Sequence, residues 1–447
     1  MEEKVPPEGD ILETNDNRIK LSAILDSGKL GIQPGKLTGN LSVPQSKSLA
    51  HRALIMAFLC GDLSLAVIEE KYVSEDIDAT RQALEKLLRA MESSDHSSEP
   101  IEIDCRESGS TLRFLIPLVA VLGVPTRFIG RGRLPKRPIK EYENVFRGSG
   151  AEMIYEGEPG DSLPLLVKGK MQSGEYALPG NVSSQYISGL LMALSKAEGA
   201  SRIRLTTELE SLPYVNMTIA VMKEFGVEVV SEEGAFFLPG ISKPERKMKL
   251  VVEADYSQAA FWLVANYLGS AVCLMNLPKK TAQGDRAIES LISGLMHAGN
   301  SRTEDGSQRV FEMDARDVPD LVPVFAVAAA ATDCETHIVH AERLALKESD
   351  RLASTAQMLE VLGCDVKVRP DGMTIRGRAI VPGKSVFSGG TVDTHNDHRL
   401  VMASAVAAVC ADAPIWIQEP KAVEKSYPAF FEDYLDVGGS IYGINVG

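Results

Sequence analysis

The sequence has few of the residues that mark secreted, metal-binding or membrane proteins. Its 6 cysteines in 447 residues are scattered, form no CxxC pair and mostly lie inside apolar segments. Cysteines of this kind are typical of small buried side chains in a reducing compartment, not of disulfides or zinc ligands. No 18-residue window is both apolar and free of charge, and the opening MEEKVPPEGDILETNDN lacks the pattern of a signal peptide. We therefore expect a cytoplasmic protein that does not bind membranes.

Basic residues are also fewer than acidic ones. The 47 lysines and arginines against 61 aspartates and glutamates give a net charge of −14. This balance argues against a nonspecific nucleic-acid binder, although it leaves room for a local basic cleft. The length and the 44% hydrophobic content allow two large domains or several small ones. Residues 1–28 have the composition of a polar tail.

A helix-length apolar segment recurs six times along the chain. The copies begin at Ser48, Ser108, Val182, Tyr256, Pro319 and Asp397. Their starts are separated by 60, 74, 74, 63 and 78 residues. Helices that are apolar all round must be buried. Each copy is followed by an amphipathic helical segment, which usually ends at a glycine before an apolar strand. The pattern predicts six repeats divided three plus three between two domains, with sheets outside and buried helices inside.

Charged residues gather where these segments begin. Four cations lie in first turns: Lys47, Arg52, His398 and Arg399. The helix dipole disfavours a cation there by up to about 1 kcal/mol, whereas helix starts combined with lysine and arginine bind phosphate and carboxylate groups. The sequence therefore predicts an anion site. Two alternatives stay open: the serines and aspartates are ordinary N-caps, and the cations pair with local carboxylates such as Asp397 or Glu107.

Three turns add further charge. They are Lys136-Arg137-Pro138, the run Lys347-Glu348-Ser349-Asp350-Arg351, and Lys425-Ser426-Tyr427-Pro428. Each is a candidate part of the anion site. The alternative for each is a solvated charged loop.

Nine segments in order give the chain a family resemblance. They are VPQSKSLAHRAL, ESGSTLRFL, KRPI, GNVSSQYISGLLMA, SLPYVNMT, DVPDLVPVFAVAAA, LKESDRL, HNDHRLVMASAVA and KSYP. In sequence and order they resemble the motifs of the 5-enolpyruvylshikimate-3-phosphate synthase family, from about residue 30 to about residue 435.

The resemblance implies an α/β fold of two domains, an inside-out α/β barrel in which each domain has three βαβαββ repeats and closes on substrate. It places residues 29–45 and 253–447 in one domain and residues 46–252 in the other. The implied reaction transfers the enolpyruvyl group of phosphoenolpyruvate to the 5-hydroxyl of shikimate 3-phosphate and releases phosphate. The resemblance further implies a monomer that uses no metal or organic cofactor.

The same resemblance assigns residues to three roles. Phosphoenolpyruvate would be held by Lys47, Gly109, Arg137, Gln185, Arg351, Arg399 and Lys425. Shikimate 3-phosphate would be held by Ser48, Arg52, Ser183, Ser184, Gln185, Ser211, Tyr214, Asp320 and Lys347. The catalytic candidates are Asp320, Glu348, Lys347, Lys47 and His398. Asp320 would be the base at the attacking hydroxyl, and Glu348 and Lys347 would share proton transfer at the methylene carbon. His398 would orient phosphate, with a capping or packing role as its alternative.

Several residues depart from the family pattern. They are Gln45, Glu107, Leu212, Arg343 and Ala345. Glu107 is the most consequential, because a carboxylate beside an anion weakens binding unless a cation pairs with it. Two rival interpretations follow. One is the related transferase acting on UDP-N-acetylglucosamine, which uses a loop cysteine that residues 120–140 lack. The other is a noncatalytic protein that binds phosphorylated metabolites.

Overall fold

The computed structural model describes residues 18–92, 99–240, 243–301 and 309–443. The chain divides into two compact units. Unit 1 consists of the described residues within Met1–Pro44, Asp255–Leu277 and Asp285–Gly447, and unit 2 of those within Gln45–Ala254 and Pro278–Gly284. No helix among the described residues is long and apolar enough to cross a membrane.

The described residues form thirteen α-helices. They are α1 Arg18–Asp26, α2 Lys47–Leu59, α3 Glu75–Glu92, α4 Gly109–Leu122, α5 Glu141–Phe146, α6 Ser184–Leu194, α7 Leu212–Glu224, α8 Tyr256–Tyr267, α9 Ile288–Gly299, α10 Val322–Ala330, α11 Arg351–Val361, α12 His398–Ala407 and α13 Phe430–Asp436. The even-numbered helices α2 to α12 coincide with the six apolar segments and are buried along most of their length. The prediction of six buried helices is thus confirmed.

The same residues form twenty strands. They are β1 Lys29–Ile32, β2 Thr38–Leu41, β3 Ala66–Val67, β4 Ile101–Asp104, β5 Thr126–Ile129, β6 Ala151–Tyr155, β7 Leu165–Gly169, β8 Glu175–Leu178, β9 Ser201–Leu205, β10 Val230–Glu232, β11 Ala235–Leu238, β12 Leu250–Val251, β13 Ala271–Leu274, β14 Val310–Asp314, β15 Glu335–Val339, β16 Asp365–Arg369, β17 Gly372–Arg376, β18 Gly390–Val392, β19 Ile415–Gln418 and β20 Ile441–Gly443.

Each unit contains two four-stranded sheets and one two-stranded sheet. The sheets β4-β5-β7-β6, β8-β9-β11-β10 and β14-β15-β17-β16 share one pattern. In each, the first two strands are parallel with a buried helix between them, and the last two form an antiparallel hairpin. This is the predicted βαβαββ repeat, and the α/β fold is confirmed.

The fourth four-stranded sheet borrows a strand from far along the chain. Its order is β18-β19-β1-β20, with β1 antiparallel to both neighbours. Leu30 of β1 lies opposite Ile417 on one side and Gly443 on the other. β1 therefore completes a repeat whose other strands lie more than 350 residues later.

Each short sheet pairs two strands that are far apart in the sequence and belong to the same unit. β2 precedes α2 but pairs in parallel with β13 of unit 1, whereas β12 precedes α8 but pairs in parallel with β3 of unit 2. The chain thus leaves unit 1 after Pro44 and returns at Asp255.

Part of the predicted polar tail, residues 1–28, is a helix. In α1, Leu21 is buried, and Ile24 lies against Gly443 of β20. Apolar residues at positions 21, 24 and 25 have helical spacing, which gives the segment one face that packs on unit 1. The tail interpretation is corrected for Arg18–Asp26, and residues 1–17 lie outside the described part of the chain.

Candidate active site

A buried arginine organises the candidate site of unit 1. Arg351 is the first residue of α11, and only 1% of its side chain is exposed. Its guanidinium donates to Asp397 Oδ2 at 2.9 Å, to Asp320 Oδ1 at 2.9 Å and to Glu348 Oε2 at 2.5 Å. Burial alone lowers the pKa of Arg351, but the charges of Asp397, Glu348 and Asp320 outweigh it and raise the pKa. The arginine is therefore a permanent cation that holds three carboxylates together.

The carboxylate of Asp320 accepts hydrogen bonds from three cationic side chains. It lies in the 3₁₀ turn Pro319–Leu321 before α10, where its carboxylate accepts from Lys347 Nζ at 3.3 Å, Arg351 Nη1 at 2.9 Å and Arg399 Nη2 at 3.0 Å. Burial favours the neutral acid, yet Arg399, Lys347 and Arg351 hold the pKa of Asp320 well below its ordinary value. Asp320 is ionised at neutral pH in this geometry.

Asp397 joins this cluster to the start of α12. Its side chain is fully buried and caps the helix by accepting from the Arg399 backbone N–H at 2.9 Å. It also accepts from Ser349 Oγ at 3.1 Å. Because the cap and the bond to Arg351 use the same carboxylate, the starts of α11 and α12 are fixed relative to one another.

His398 and Lys425 lie at the same end of α12. His398 is the first residue of the helix, only 2% exposed, with Nδ1 3.9 Å from Asp397 Oδ1. Lys425 ends the 3₁₀ segment Pro420–Lys425 and donates from Nζ to the Asn396 backbone oxygen at 2.9 Å. His398 thus follows Asp397 of the arginine–carboxylate cluster directly, and Lys425 contacts the residue that precedes Asp397.

A second acid, Asp285, lies in the 3₁₀ segment Gly284–Ala287 that precedes α9. It is buried and accepts a hydrogen bond from Ser257 Oγ, on α8. Burial raises its pKa to about 7, with the charge of Asp320 adding to the effect and that of Arg399 opposing it. Unit 1 therefore holds two interacting carboxyl groups whose surroundings push their pKa values in opposite directions, an arrangement found at proton-transfer sites.

Unit 2 presents its first cation at the start of α2. Lys47 follows the N-cap Ser46 and pairs with Asp76 Oδ2 of α3 at 3.0 Å. About a seventh of its side chain remains exposed. The pair fixes the ammonium group near the two helix starts, where it can contact an anion.

Arg52 lies one turn further along α2 and is bound by neutral groups. Its guanidinium donates to Thr218 Oγ1 at 2.7 Å, to the Ser48 backbone oxygen at 2.6 Å and to the Tyr214 backbone oxygen at 3.1 Å. Burial lowers its pKa to about 10. These bonds join α2 to α7 without neutralising the charge.

Gly109 begins α4 beneath two guanidinium groups. A Cβ atom placed on it would lie 2.8 Å from Cζ and Nη1 of Arg137 and 3.0 Å from Nη1 of Arg113. The absence of a side chain is what lets both cations approach the N-terminus of α4. Arginine thus takes the space that a side chain at Gly109 would fill, and the predicted contact of Gly109 with phosphoenolpyruvate stays a prediction.

Gln185 connects the second and third repeats of unit 2. Its Oε1 accepts from Arg113 Nη1 at 2.7 Å and its Nε2 donates to Ser110 Oγ at 2.9 Å. Ser183 caps α6, since its side chain accepts from the Gln185 backbone N–H. These contacts bring the start of α6 to the start of α4.

The predicted site residues thus fall into two groups. Unit 1 contains Asp320, Lys347, Glu348, Arg351, His398, Arg399 and Lys425, and unit 2 contains Lys47, Ser48, Arg52, Gly109, Arg137, Ser183, Ser184, Gln185, Ser211 and Tyr214. Ser184 is the first residue of α6, and Ser211 precedes α7 with a left-handed backbone, φ 57°. The N-cap alternative is also correct for five helix starts, whose caps are Ser46, Ser108, Ser183, Asp255 and Asp397.

The sequence interpretation missed Arg113 and Asp285. A signal existed for Arg113, since it is a charged residue inside an otherwise apolar buried helix and needs a partner there. Its partners are Gln185 and the Pro138 backbone oxygen, to which Nη2 donates at 3.0 Å. Nothing in the local sequence distinguishes Asp285 from a surface residue.

One departure from the family pattern has a structural explanation. The side chain of Gln45 is buried, and its Nε2 donates to the Val252 backbone oxygen at 2.8 Å while its Oε1 accepts from the Glu69 backbone N–H. It therefore ties the chain passage into unit 2 to the short sheet β12-β3. The structure gives no comparable reason for Leu212, which is exposed at the start of α7.

Comparisons with known proteins agree with this architecture. Residues 32–434 match the family model described as EPSP synthase (3-phosphoshikimate 1-carboxyvinyltransferase). The 3-phosphoshikimate 1-carboxyvinyltransferase of Clostridium novyi is 39% identical, covering 92% of this chain and 97% of the relative, and that of Clostridium acetobutylicum is 38% identical over 93% and 99%. A solved EPSP synthase from Acinetobacter baumannii superposes with a TM-score of 0.70 at 25% identity, covering 92% of this chain and 99% of that one. On this evidence the chain belongs to the EPSP synthase family.

Proposed function

We propose that this protein transfers the enolpyruvyl group of phosphoenolpyruvate to the 5-hydroxyl of shikimate 3-phosphate, releasing inorganic phosphate. The observation that carries the proposal is the carboxylate of Asp320 held by Lys347, Arg351 and Arg399. A base and several cations in direct contact are what proton abstraction beside a multiply anionic substrate requires.

The proposal assigns different cationic and polar residues to the two substrates. In the proposed assignment Arg351, Arg399 and Lys425 of unit 1, with Lys47 and Arg137 of unit 2, hold phosphoenolpyruvate. The planar guanidinium groups suit its carboxylate, since one fork can bond both oxygens. Ser183, Ser184 and Ser211 hold the 3-phosphate of the shikimate, and Arg52 and Tyr214 the remainder of that substrate.

The proposed reaction adds and then eliminates. The 5-hydroxyl oxygen attacks C2 of phosphoenolpyruvate while its proton leaves and another proton reaches the methylene carbon, which becomes a methyl group. Loss of phosphate and of one methyl proton restores the double bond. Asp320 takes the hydroxyl proton, and Glu348 and Lys347 serve the methylene carbon. The two substrates supply every atom of the products.

The surroundings of Asp320 connect binding to basicity. Of the three cations that hold its pKa down, Arg399 and Arg351 are assigned to phosphoenolpyruvate and Lys347 to shikimate 3-phosphate. When a bound anion shares their charge, the pKa of Asp320 rises, and the carboxylate becomes a stronger base. Substrate binding therefore prepares the base for the proton transfer.

The direct test is phosphate release by the purified protein. We expect release with phosphoenolpyruvate and shikimate 3-phosphate together, with neither alone, and far less when shikimate lacks its phosphate. The enolpyruvyl ether product should appear by mass spectrometry in equal amount. No release with shikimate 3-phosphate would refute the proposal, and release only with UDP-N-acetylglucosamine would assign the related transferase instead. We propose in addition that the enzyme acts as a cytoplasmic monomer, which light scattering would test for the oligomeric state.

A further inference from the structure

A buried hydrogen-bond chain connects three helices of unit 2. His51 Nδ1 lies 2.8 Å from Thr80 Oγ1, Thr80 Oγ1 lies 2.7 Å from Thr111 Oγ1, and Thr111 Oγ1 lies 2.7 Å from Ser108 Oγ. These residues lie on α2, α3 and α4 and at the N-cap of α4, and none is exposed to solvent. None of the four belongs to the proposed catalytic or binding set.

The hydrogen bonds of this chain all point in one direction, from donor to acceptor. The hydroxyl proton of Thr111 is donated to Ser108 Oγ, with the Asp76 backbone oxygen 3.4 Å away as a weaker acceptor. Since a hydroxyl has one proton, Thr111 must accept from Thr80, and Thr80 must in turn accept from His51. The imidazole therefore carries its proton on Nδ1 and is the donor that begins the chain.

The environment keeps His51 neutral in this tautomer. Burial, followed by the charges of Lys47 and Arg52, holds its pKa well below the ordinary value. Among the described residues, Nε2 has no hydrogen-bond partner. The ring packs edge-on against Phe114 of α4, with centroids 6.4 Å apart. A neutral ring fixed on two sides is a rigid link rather than a titrating switch.

Both ends of the hydrogen-bond chain, His51 and Ser108, lie near residues assigned to phosphoenolpyruvate. Ser108 immediately precedes Gly109, and it caps α4 by accepting from the Thr111 backbone N–H at 3.2 Å. His51 lies one turn after Lys47 on α2. The chain thus ties the helix start that carries Lys47 to the helix start under the guanidinium of Arg137.

We propose that His51 is a positioning residue that holds the starts of α2 and α4 at the separation needed to bind phosphoenolpyruvate. The inference rests on the proposed function. Residues assigned to the 3-phosphate of the shikimate lie at the starts of α6 and α7, outside the chain. Loss of the hydrogen-bond chain should therefore raise KM for phosphoenolpyruvate by about tenfold, the size expected for one broken buried hydrogen bond. The rise in KM for shikimate 3-phosphate should be smaller, because only Ser48 and Arg52 of the residues assigned to that substrate share α2 with His51.

The test replaces the donor in three ways. His51→Leu removes it, and His51→Gln offers an amide at the position of Nε2, where no partner is available. His51→Asn places an amide N–H near the position of Nδ1 and can restore the chain. We expect the raised KM with Leu and Gln and substantial rescue with Asn. A role in packing alone would instead track side-chain volume and give no rescue.

A second pair of variants distinguishes loss of the hydrogen-bond chain from misfolding of the protein. Thr80→Val keeps the shape of its side chain and breaks the middle of the hydrogen-bond chain. Thr126→Val removes a buried hydroxyl of β5 that donates to the Val124 backbone oxygen, outside that hydrogen-bond chain. We expect the effect on KM with Thr80→Val alone, in protein whose circular dichroism matches the parent. An active parent whose KM for phosphoenolpyruvate is unaffected by His51→Leu and Thr80→Val would overturn the inference and leave the function standing. An inactive parent would refute the function first.

Discussion

Buried arginines are satisfied in opposite ways in the two units. Arg351 of unit 1 is bonded to three carboxylates, which raise its pKa despite burial. Arg52 of unit 2 is bonded to backbone oxygens and hydroxyls, and burial lowers its pKa. The same repeat architecture therefore supports two electrostatic designs.

The difference indicates a division of labour. In the proposed mechanism, the carboxylates that surround Arg351 in unit 1 include the groups that accept and deliver protons. Neutral partners in unit 2 leave the positive charge of Arg52 and Arg113 uncancelled and available to attract anions. We therefore expect variants of the unit 1 carboxylates to affect turnover, and variants at the helix starts of unit 2 to affect substrate affinity.

The largest expected effect is on turnover, and it tests the expectation that the carboxylates of unit 1 transfer protons. Asp320→Asn keeps the shape of the side chain but removes the base, so kcat should fall by about 10³-fold with little change in either KM. Steady-state phosphate release measures it. Asp365→Asn, an exposed carboxylate on β16, is the matched control and should leave kcat unchanged. A near-normal kcat for Asp320→Asn would remove the proposed base.

A matched pair of arginine variants tests the electrostatic designs through stability. Arg351→Met leaves three carboxylates without their shared cation and should cost about 3–5 kcal/mol of unfolding free energy at neutral pH. Arg52→Met leaves only neutral acceptors and should cost about 1–3 kcal/mol. Denaturant unfolding compares them.

The same pair differs in its dependence on pH. In Arg351→Met the Asp320 carboxylate loses one of the cations that hold its pKa down, so its protonation at acidic pH should recover part of the lost stability. Arg52→Met should show no such recovery. Equal losses and parallel pH profiles for the two variants would contradict the comparison.

Gly109→Ala tests the expectation that the helix starts of unit 2 determine substrate affinity. The new methyl group would displace the guanidinium of Arg137, whose Cζ lies 2.8 Å from its position. Because the end of a flexible side chain can move, stability should change little, while KM for phosphoenolpyruvate should rise about tenfold. Gly174→Ala, where a Cβ meets nothing within 4 Å, is the control. A fall in kcat without a change in KM would place Gly109 in the chemical step instead.

The last prediction concerns the ionisation of Asp285. Its pKa in the folded protein is raised to about 7, so its favourable contribution is complete below the unfolded pKa and is lost as pH rises towards neutrality. Asp285→Asn cannot ionise, so its stability relative to the parent should improve by up to about 1.4 kcal/mol for each pH unit in this window. Thermal unfolding at about pH 5 and about pH 8 measures the change. A constant difference would show that Asp285 does not titrate there.

Local sequence patterns predicted much of this molecule. The six buried helices follow from apolar periodicity, and the caps Ser108 and Asp397 from residue type at a helix start. Asp285 and the bond between Arg113 and Gln185 could not be predicted this way, because their partners are 28 and 72 residues distant and meet only in the fold. The pairing of β1 with β19 and β20 could not be predicted from local sequence for the same reason.

The position of β1 has a consequence for the order in which the protein is made. Apart from Pro278–Gly284, unit 2 is one continuous stretch that is complete once Ala254 has been synthesised. β1 cannot complete its sheet until β20 has been synthesised, nearly 200 residues after Ala254, which takes roughly 10–40 s at ribosomal rates of about 5–20 residues per second. We therefore expect unit 2 to fold on the ribosome while β1 is still an unpaired strand, and the sheet of β1 in unit 1 to be completed only when β20 emerges.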